Sequence, residues 1–245
     1  MKLKDHYDNH LSHFYAWMIG SFDEAQQIQE AFLRKHNIIS ATREHAIDLG
    51  AGHGLQAISL AKLGYHVTAV DFTKNLLTDL QGRAGTLSIR CVQEDILRYL
   101  EHNSDKAEII TCMGDTLTHL ESVDQVEKLV QQVSDHLDVN GKFVVSFRDL
   151  THELTGDQRF IPVRSDEKRI LTCFLEYFPD RVIVHDIFHE HRDGTWIQKV
   201  SSYPKLRLNQ QLVENLFSRN HIEIIAGETI NRMIYLVGRK VNAPR

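Results

Sequence analysis

Cysteine, proline and positive charge are all in short supply. The three cysteines among 245 residues, Cys91, Cys112 and Cys173, stand far apart and form no C-x-x-C pair. They read as reduced core residues, two of them inside expected buried strands, and they point to the cytoplasm. Lysine and arginine total 28 against 33 aspartates and glutamates, a net charge of -5. Without a broad cationic field a nucleic-acid partner is disfavoured. No apolar run is long enough to span a bilayer, and the opening "MKLKDHYDNH" lacks the apolar stretch of a signal peptide, so no membrane partner is expected. No linker rich in Pro, Gly or Ser divides the chain, and there is no repeat or low-complexity tract. A single domain over 1–245 is the expectation.

Against those absences stands one dense stretch, "AIDLGAGHGLQAISLAKLGYHVTAVDF" at 46–72. A short apolar run ending at Asp48 meets Gly50, Gly52 and Gly54, then a helical pattern in Leu55, Ile58, Leu60 and Ala61. After Gly64 and Tyr65 a β-branched run closes on Asp71. Glycines at such a turn let the backbone approach a ligand closely, and amides at the start of the following helix favour electron-rich groups. An acid at the end of the next strand suits the two hydroxyls of a ribose. Two nucleoside cofactors compete, a dinucleotide and S-adenosylmethionine. The dinucleotide spacing G-x-G-x-x-G fails here, because position 55 is Leu.

Strands and helices alternate from Ala46 onward, with strands expected at 46–49, 67–71, 87–93, 108–113 and 142–147. Ser21 and Glu24 have the form of a capping box for a helix through about Lys35, with Ala25, Ile28, Ala31 and Phe32 as its apolar face. Val123, Val126, Leu129, Val130, Val133 and Leu137 recur at helical spacing, and "NG" at 140–141 is the expected helix stop. This alternation implies a parallel sheet with helices on both faces and ligand at the carboxyl ends of the strands. From about Ile170 to Leu208 the pattern changes to "ILTCFLEYF", "RVIVHDIFHEH" and "TWIQKVSSY", an expected small antiparallel sheet. A helix in "NQQLVENLFSRN" and two strands, "IEIIAGETI" and "RMIYLVGRK", complete the chain.

The series "DLGAGHG", "VDF", "QEDIL" and a terminal hairpin resembles the class I S-adenosylmethionine-dependent methyltransferases over nearly the whole chain. Three blocks, "CMGDTLTHL" at 112–120, "FRDL" at 147–150 and "SYPKLRL" at 202–208, resemble glycine and sarcosine N-methyltransferases and their bacterial small-molecule relatives. The resemblance implies a Rossmann-like, doubly wound α/β fold whose seven strands run 3-2-1-4-5-7-6, the last antiparallel. It also implies an N-terminal helical lid at 1–40 and an inserted antiparallel subdomain at 151–208 on the substrate side. S-adenosylmethionine would be the cofactor and S-adenosylhomocysteine its product. The methionine end would lie over Gly50 and Gly52, with Asp48 supporting the turn. Asp71 would hold the ribose, Phe72 would lie against the adenine, Asp95 and Ile96 would meet its amino edge, and Met113 and Gly114 would floor the sulfonium. Tyr7, Tyr15 and Trp17 belong to the lid, where aromatic faces suit a cationic sulfur.

Methyl transfer from a sulfonium is an in-line displacement, so the protein must align nucleophile, methyl and sulfur and exclude water. No triad or metal is obligatory. Arg148, at the end of the fifth strand, is the candidate grip for an acceptor carboxylate, the alternative being an ion pair with Asp149 or a neighbouring acid. Asp115 stands where the glycine enzymes carry Asn; a carboxylate there could orient an ammonium or take its proton, or could cap the next helical segment. His119 is a candidate base or hydrogen-bond donor, and Tyr203 a candidate wall of the acceptor pocket. His185, His189 and His191 share a strand face beside the "RDG" turn, a pattern weighed for metal and left without one. The expected activity is methylation of the nitrogen of a small amine or amino acid-like acceptor. RNA or protein methylation, and a non-catalytic cofactor-binding role, are the alternatives; a homodimer through the inserted sheet is left open.

Overall fold

The computed structural model describes residues 6, 7, 10, 11, 14–40 and 44–242; the remaining parts of the expected lid, at 1–5, 8, 9, 12 and 13, lie outside them. A short helix α1 (Tyr15–Ile19) leads to α2 (Phe22–Lys35), whose cap Ser21 accepts a hydrogen bond from the Glu24 amide as the sequence predicts. Elements then alternate: β1 (His45–Leu49), α3 (Leu55–Lys62), β2 (His66–Asp71), α4 (Lys74–Ala84), β3 (Ile89–Gln93), α5 (Ile96–His102), β4 (Ala107–Cys112), α6 (Val123–His136) and β5 (Leu137–Phe147). An antiparallel excursion follows in β6 (Phe160–Ser165), β7 (Arg169–Tyr177), β8 (Arg181–Arg192) and β9 (Thr195–Leu206). The chain returns through α7 (Gln210–Arg219), β10 (Ile222–Ile230) and β11 (Met233–Lys240).

The main sheet runs β10-β11-β5-β4-β1-β2-β3, with β1 to β5 parallel and β11 antiparallel to both its neighbours. This is the expected 3-2-1-4-5-7-6 order. Side chains alternate between two buried layers, as strands covered on both faces require. Phe143, Val145 and Phe147 of β5 join α5, α6 and α7 on one side. Val144 faces the other side, with Phe32 and Leu33 of α2, Ala57 and Leu60 of α3, and Leu77 and Leu80 of α4. Among the described residues no helix is long and apolar enough to cross a membrane.

Three expectations need correction. The face that α2 buries is rotated from the one expected, since Ile28 is 64% exposed while Gln26 and Leu33 are buried. A polar contact sets that rotation: the Gln26 amide donates to Ser59 Oγ at 3.1 Å, and Lys62 donates to its carbonyl at 2.7 Å. The "NG" pair does not stop α6, which ends at His136, where Leu137 is buried and already paired with Ala107. Asn140 (φ 66°) and Gly141 instead lie within β5, where a Cβ on Gly141 would come 2.9 Å from the Asp138 carbonyl and 3.0 Å from that of Glu108. Finally, the inserted sheet has four strands in the order β6-β7-β8-β9. Its first strand escapes sequence reasoning because it is exposed almost throughout and shows no alternation.

Candidate active site

The glycine turn sits at the carboxyl end of β1. Gly50, Gly52 and Gly54 have φ of 75°, 53° and 100°, conformations that only glycine adopts readily. The Gly50 and Ala51 amides donate to the Val70 carbonyl at 2.8 and 3.0 Å, which ties the turn to β2. Asp71, buried at the end of β2, accepts from the Gly52 amide at 2.9 Å and from the Thr73 amide at 2.7 Å. The sequence-predicted pair of glycine turn and second acid is thus one unit. Asp48 is buried beneath it and accepts from Thr111 Oγ1 at 2.7 Å. Burial, with help from the charge of Asp71, pushes its carboxyl up to about 7 against the Thr111 hydrogen bond.

The other cofactor-side candidates divide. Phe72 is half-buried next to Asp71, with the Tyr7 ring edge-on to it at 5.7 Å. Asp95 is the N-cap of α5, its Oδ1 accepting from the Leu97 and Arg98 amides at 3.0 and 3.1 Å, while Ile96 and Met113 pack into the core. Gly114 borders open space, since a Cβ there would meet nothing within 4 Å. At Gly52 the nearest atom is the Tyr15 hydroxyl, 3.9 Å away. Gly50 is closed off by Thr116.

Opposite this floor, Asp115 (φ 77°) is buried and forms the hub of a charge cluster. Its carboxylate accepts from the Arg148 amide at 3.0 Å, from Arg148 Nη1 at 3.2 Å, from Thr118 Oγ1 at 3.2 Å and from Lys205 Nζ. Burial alone would raise this carboxyl, but the Lys205 ammonium and the Arg148 guanidinium outweigh it and hold the group well below the usual carboxylate range. The side chain of Arg148 remains 49% exposed, against 3% for Asp115. Of the readings weighed for these two residues, the observed one is an ion pair with each other. Lys205 is the residue that sequence reasoning missed, although it lies two positions from Tyr203 in the quoted "SYPKLRL" block.

His119 and the aromatics enclose the remaining side. The His119 ring lies 5.5 Å from Tyr203 and 5.9 Å from Tyr7, whose hydroxyl is 3.4 Å from Nε2; Nδ1 is buried with no hydrogen-bond partner. Burial, then the Lys205 charge, lowers its pKa to about 3 despite the pull of Asp115. His119 is therefore a neutral imidazole. Tyr203 also stacks at 4.2 Å on His6, itself bonded to Ser201 Oγ at 2.8 Å and 3.3 Å from the Asp186 carboxylate. Trp17 does not join this group. Its indole donates to Asp166 at 2.6 Å, faces Phe188 and carries the Arg169 guanidinium 4.8 Å above it, all on the inserted sheet. Tyr15 takes the place over the glycine turn, edge-on to His53 at 4.9 Å. His185, His189 and His191 are engaged by Glu176, Gln198 and Trp196 respectively.

An αβα sheet of this order, with a glycine turn at the end of β1 and a cluster of polar groups beyond the strand ends, is the architecture of the S-adenosylmethionine-dependent methyltransferases. The comparisons agree. Residues 46–141 match the family model described as a methyltransferase domain, the segment that carries the glycine turn, Asp71, Asp95 and Asp115. That match lies within 46–141 and supports methyltransferase activity for this chain. No curated protein matches it. Among solved structures, an S-adenosylmethionine-dependent methyltransferase from Clostridium acetobutylicum is 17% identical, with TM-score 0.76 over 96% of this chain and 99% of its own. The amino pentose methyltransferase CalS10 of Micromonospora echinaspora is 13% identical, with TM-score 0.73 over 91% and 94%. The sugar N-methyltransferase KedS8 of a Streptoalloteichus species is 12% identical, with TM-score 0.73 over 96% and 94%.

Proposed function

We propose that the chain uses S-adenosylmethionine to methylate the nitrogen of a small amine that also carries an acid group. The observation that carries this reading is the Lys205–Asp115–Arg148 cluster, two cations on one buried carboxylate directly after Gly114, which borders open space.

The residues present fit the cofactor. Open space beside Gly114, and a Gly52 that only the Tyr15 hydroxyl approaches, leave room for the methionine end; Asp71 stands at the strand end where a ribose would lie, and Phe72 and Tyr7 offer faces beside it. When bound, the cofactor supplies an electrophilic methyl on a sulfonium. In this reading residues 1–40 act as lid, with Tyr7 and Tyr15 over the site, and 151–208 form the acceptor-side wall through Tyr203 and Lys205.

The protein's part is positioning. The Asp115 carboxylate is already held by Lys205, Arg148 and Thr118, so it anchors the two cations rather than receiving an ammonium. The half-exposed Arg148 guanidinium then presents the surplus positive charge to an acid group on the acceptor. Buried surroundings and nearby cations keep His119 neutral, and they disfavour an ammonium in the same way, leaving the amine lone pair free for attack. CalS10 and KedS8, named for amino sugar and sugar nitrogen acceptors, support nitrogen as the target.

The test is transfer of labelled methyl to a panel of small amines, half with an acid group and half without. Turnover confined to acid-bearing amines, with KM raised at least tenfold in Arg148→Ala, is expected. Equal turnover of both halves would remove the acid-group assignment.

A further inference from the structure

The inserted sheet has two unlike faces. Along β8 buried and part-exposed residues alternate strictly, with Val182, Val184, Asp186 and Phe188 turned to the body of the protein. The opposite face is expected to be polar where an antiparallel sheet meets water. It is not. Registering the strands puts Phe160 beside Phe174, and Ile187 between Thr172 and Val200, with Ile170 beside His189 and Trp196 beside His191. Phe160, Ile170, Trp196 and Val200 are exposed, Trp196 by 48% and Val200 by 55%. Across these central rows the outward positions hold no Lys, Arg, Asp or Glu; the polar members are His185, His189, Gln198, Ser165, Thr172 and Ser202. Formal charge returns at one end, where Glu176 meets His185 and the Arg159 guanidinium lies 4.8 Å from the centre of the Phe174 ring.

We propose that this face is a homodimer interface, two copies packing sheet on sheet about a two-fold axis. A second copy fits better than a different partner on two counts. The central rows carry no formal charge, and the charges at one end are of opposite sign, Arg159 and Glu176, so placing the face against its own image brings little like-charge repulsion, as an isologous contact requires. Its size is also right. At about 4.8 Å between strands and about 3.4 Å per residue, four strands give a face of roughly 500 Å² in plan, and its pleated, side-chain-covered surface is larger. A standard interface buries about 800 Å² per partner, whereas monomers rarely expose apolar patches beyond a few hundred Å². The proposal also accounts for the "HDIFHEH" run, whose imidazoles and isoleucine share the outward face.

The interface would bear on the active site. β9 alternates, so Val200, Ser202 and Pro204 point outward while Ser201, Tyr203 and Lys205 point toward the chamber. Packing a second sheet behind β9 would hold the strand that carries Lys205.

Sedimentation of the full chain, wild type against Val200→Glu and Ile170→Glu, tests the proposal, with Val139→Glu as an exposed control outside the sheet. Wild type and control at twice the monomer mass are expected, with both sheet variants monomeric while retaining wild-type circular dichroism. A wild type monomeric at its highest soluble concentration would overturn the proposal, as would a dimer that both sheet variants leave intact. Trp196 gives an independent readout in a Trp17→Phe background: its emission is expected to shift to the red on dilution through dissociation, and a concentration-independent spectrum would count against the interface.

Discussion

The two sheets solve different problems. The seven-stranded sheet is buried on both faces, and the groups it presents to ligand come from strand ends and the turns directly after them, each within a few residues of the element that fixes it. The four-stranded sheet buries one face, and its contributions to the site work only through partners far along the chain. Lys205 meets Asp115 across 90 positions, and His6 meets Ser201 across 195. In the proposed reading the cofactor side is local, while the acceptor side is assembled by tertiary packing. On that reading, one core chemistry could serve different acceptors through changes in the insert alone.

The comparison breaks most directly at the joint between the two regions. Asp115→Ala would leave the mostly buried Lys205 ammonium without its partner, a change that costs about 3–5 kcal/mol in buried pairs. Urea unfolding should show that loss near neutral pH, and Asp115→Asn should recover only part of it. The sign of the pH dependence is fixed. The folded carboxyl is depressed, so its contribution is complete above the ordinary Asp value of about 4 and fades only as pH falls toward the lower folded value. A variant and wild type equally stable at neutral pH would show the joint to be dispensable.

Within the core sheet the largest effect belongs to Asp71. Asp71→Ala removes the acceptor of the Gly52 and Thr73 amides as well as the proposed ribose contact, and affinity for S-adenosylhomocysteine should fall on the order of 100-fold by calorimetry. Asp95→Ala sharpens the same contrast. It loses a helix cap worth about 1 kcal/mol of stability, and affinity should fall less than for Asp71→Ala.

Why the core site was readable while the first strand of the insert and its contacts across the chain were not follows from these residues. The turn of Gly50, Gly52 and Gly54 and the strand-end Asp71 are adjacent in sequence because they are adjacent in space, and alternating strands and helices allow few sheet orders. Arg148 and Asp115 were each legible as single residues, yet their mutual pairing was not, since no spacing rule links positions 33 apart. No motif marks Lys205, whose partner Asp115 lies 90 positions away. β6 carried no periodic signal at all, and the rotated face of α2 depends on Gln26 reaching Ser59 on another helix.

A pH experiment separates the chamber from both sheets. His119 is held neutral with its pKa lowered to about 3, whereas an unfolded His titrates near 6.5. Unfolded chain thus takes up a proton that the fold refuses. The stability contribution is complete above about 6.5 and is lost as pH falls toward the folded value. Down to about pH 4 the wild type should lose about 3 kcal/mol on this account. His119→Gln should show a correspondingly shallower acid decline; parallel curves for the two proteins would mean that the imidazole is open to water.

The smallest effect tests which aromatic residue belongs to which region. Trp17 and Tyr15 sit two residues apart on the same short helix, and both were candidates to cover the cofactor. Trp17 is committed to the inserted sheet through Asp166, Phe188 and Arg169, while Tyr15 lies over Gly52 with its hydroxyl pushed up to about 12 by burial and the nearby Asp71. Trp17→Phe should therefore leave affinity for S-adenosylhomocysteine within about twofold, and Tyr15→Ala should weaken it by about tenfold, the scale of a lost aromatic contact. The reverse ranking would place Trp17 with the core site and would show that the lid closes on the cofactor from the insert's side.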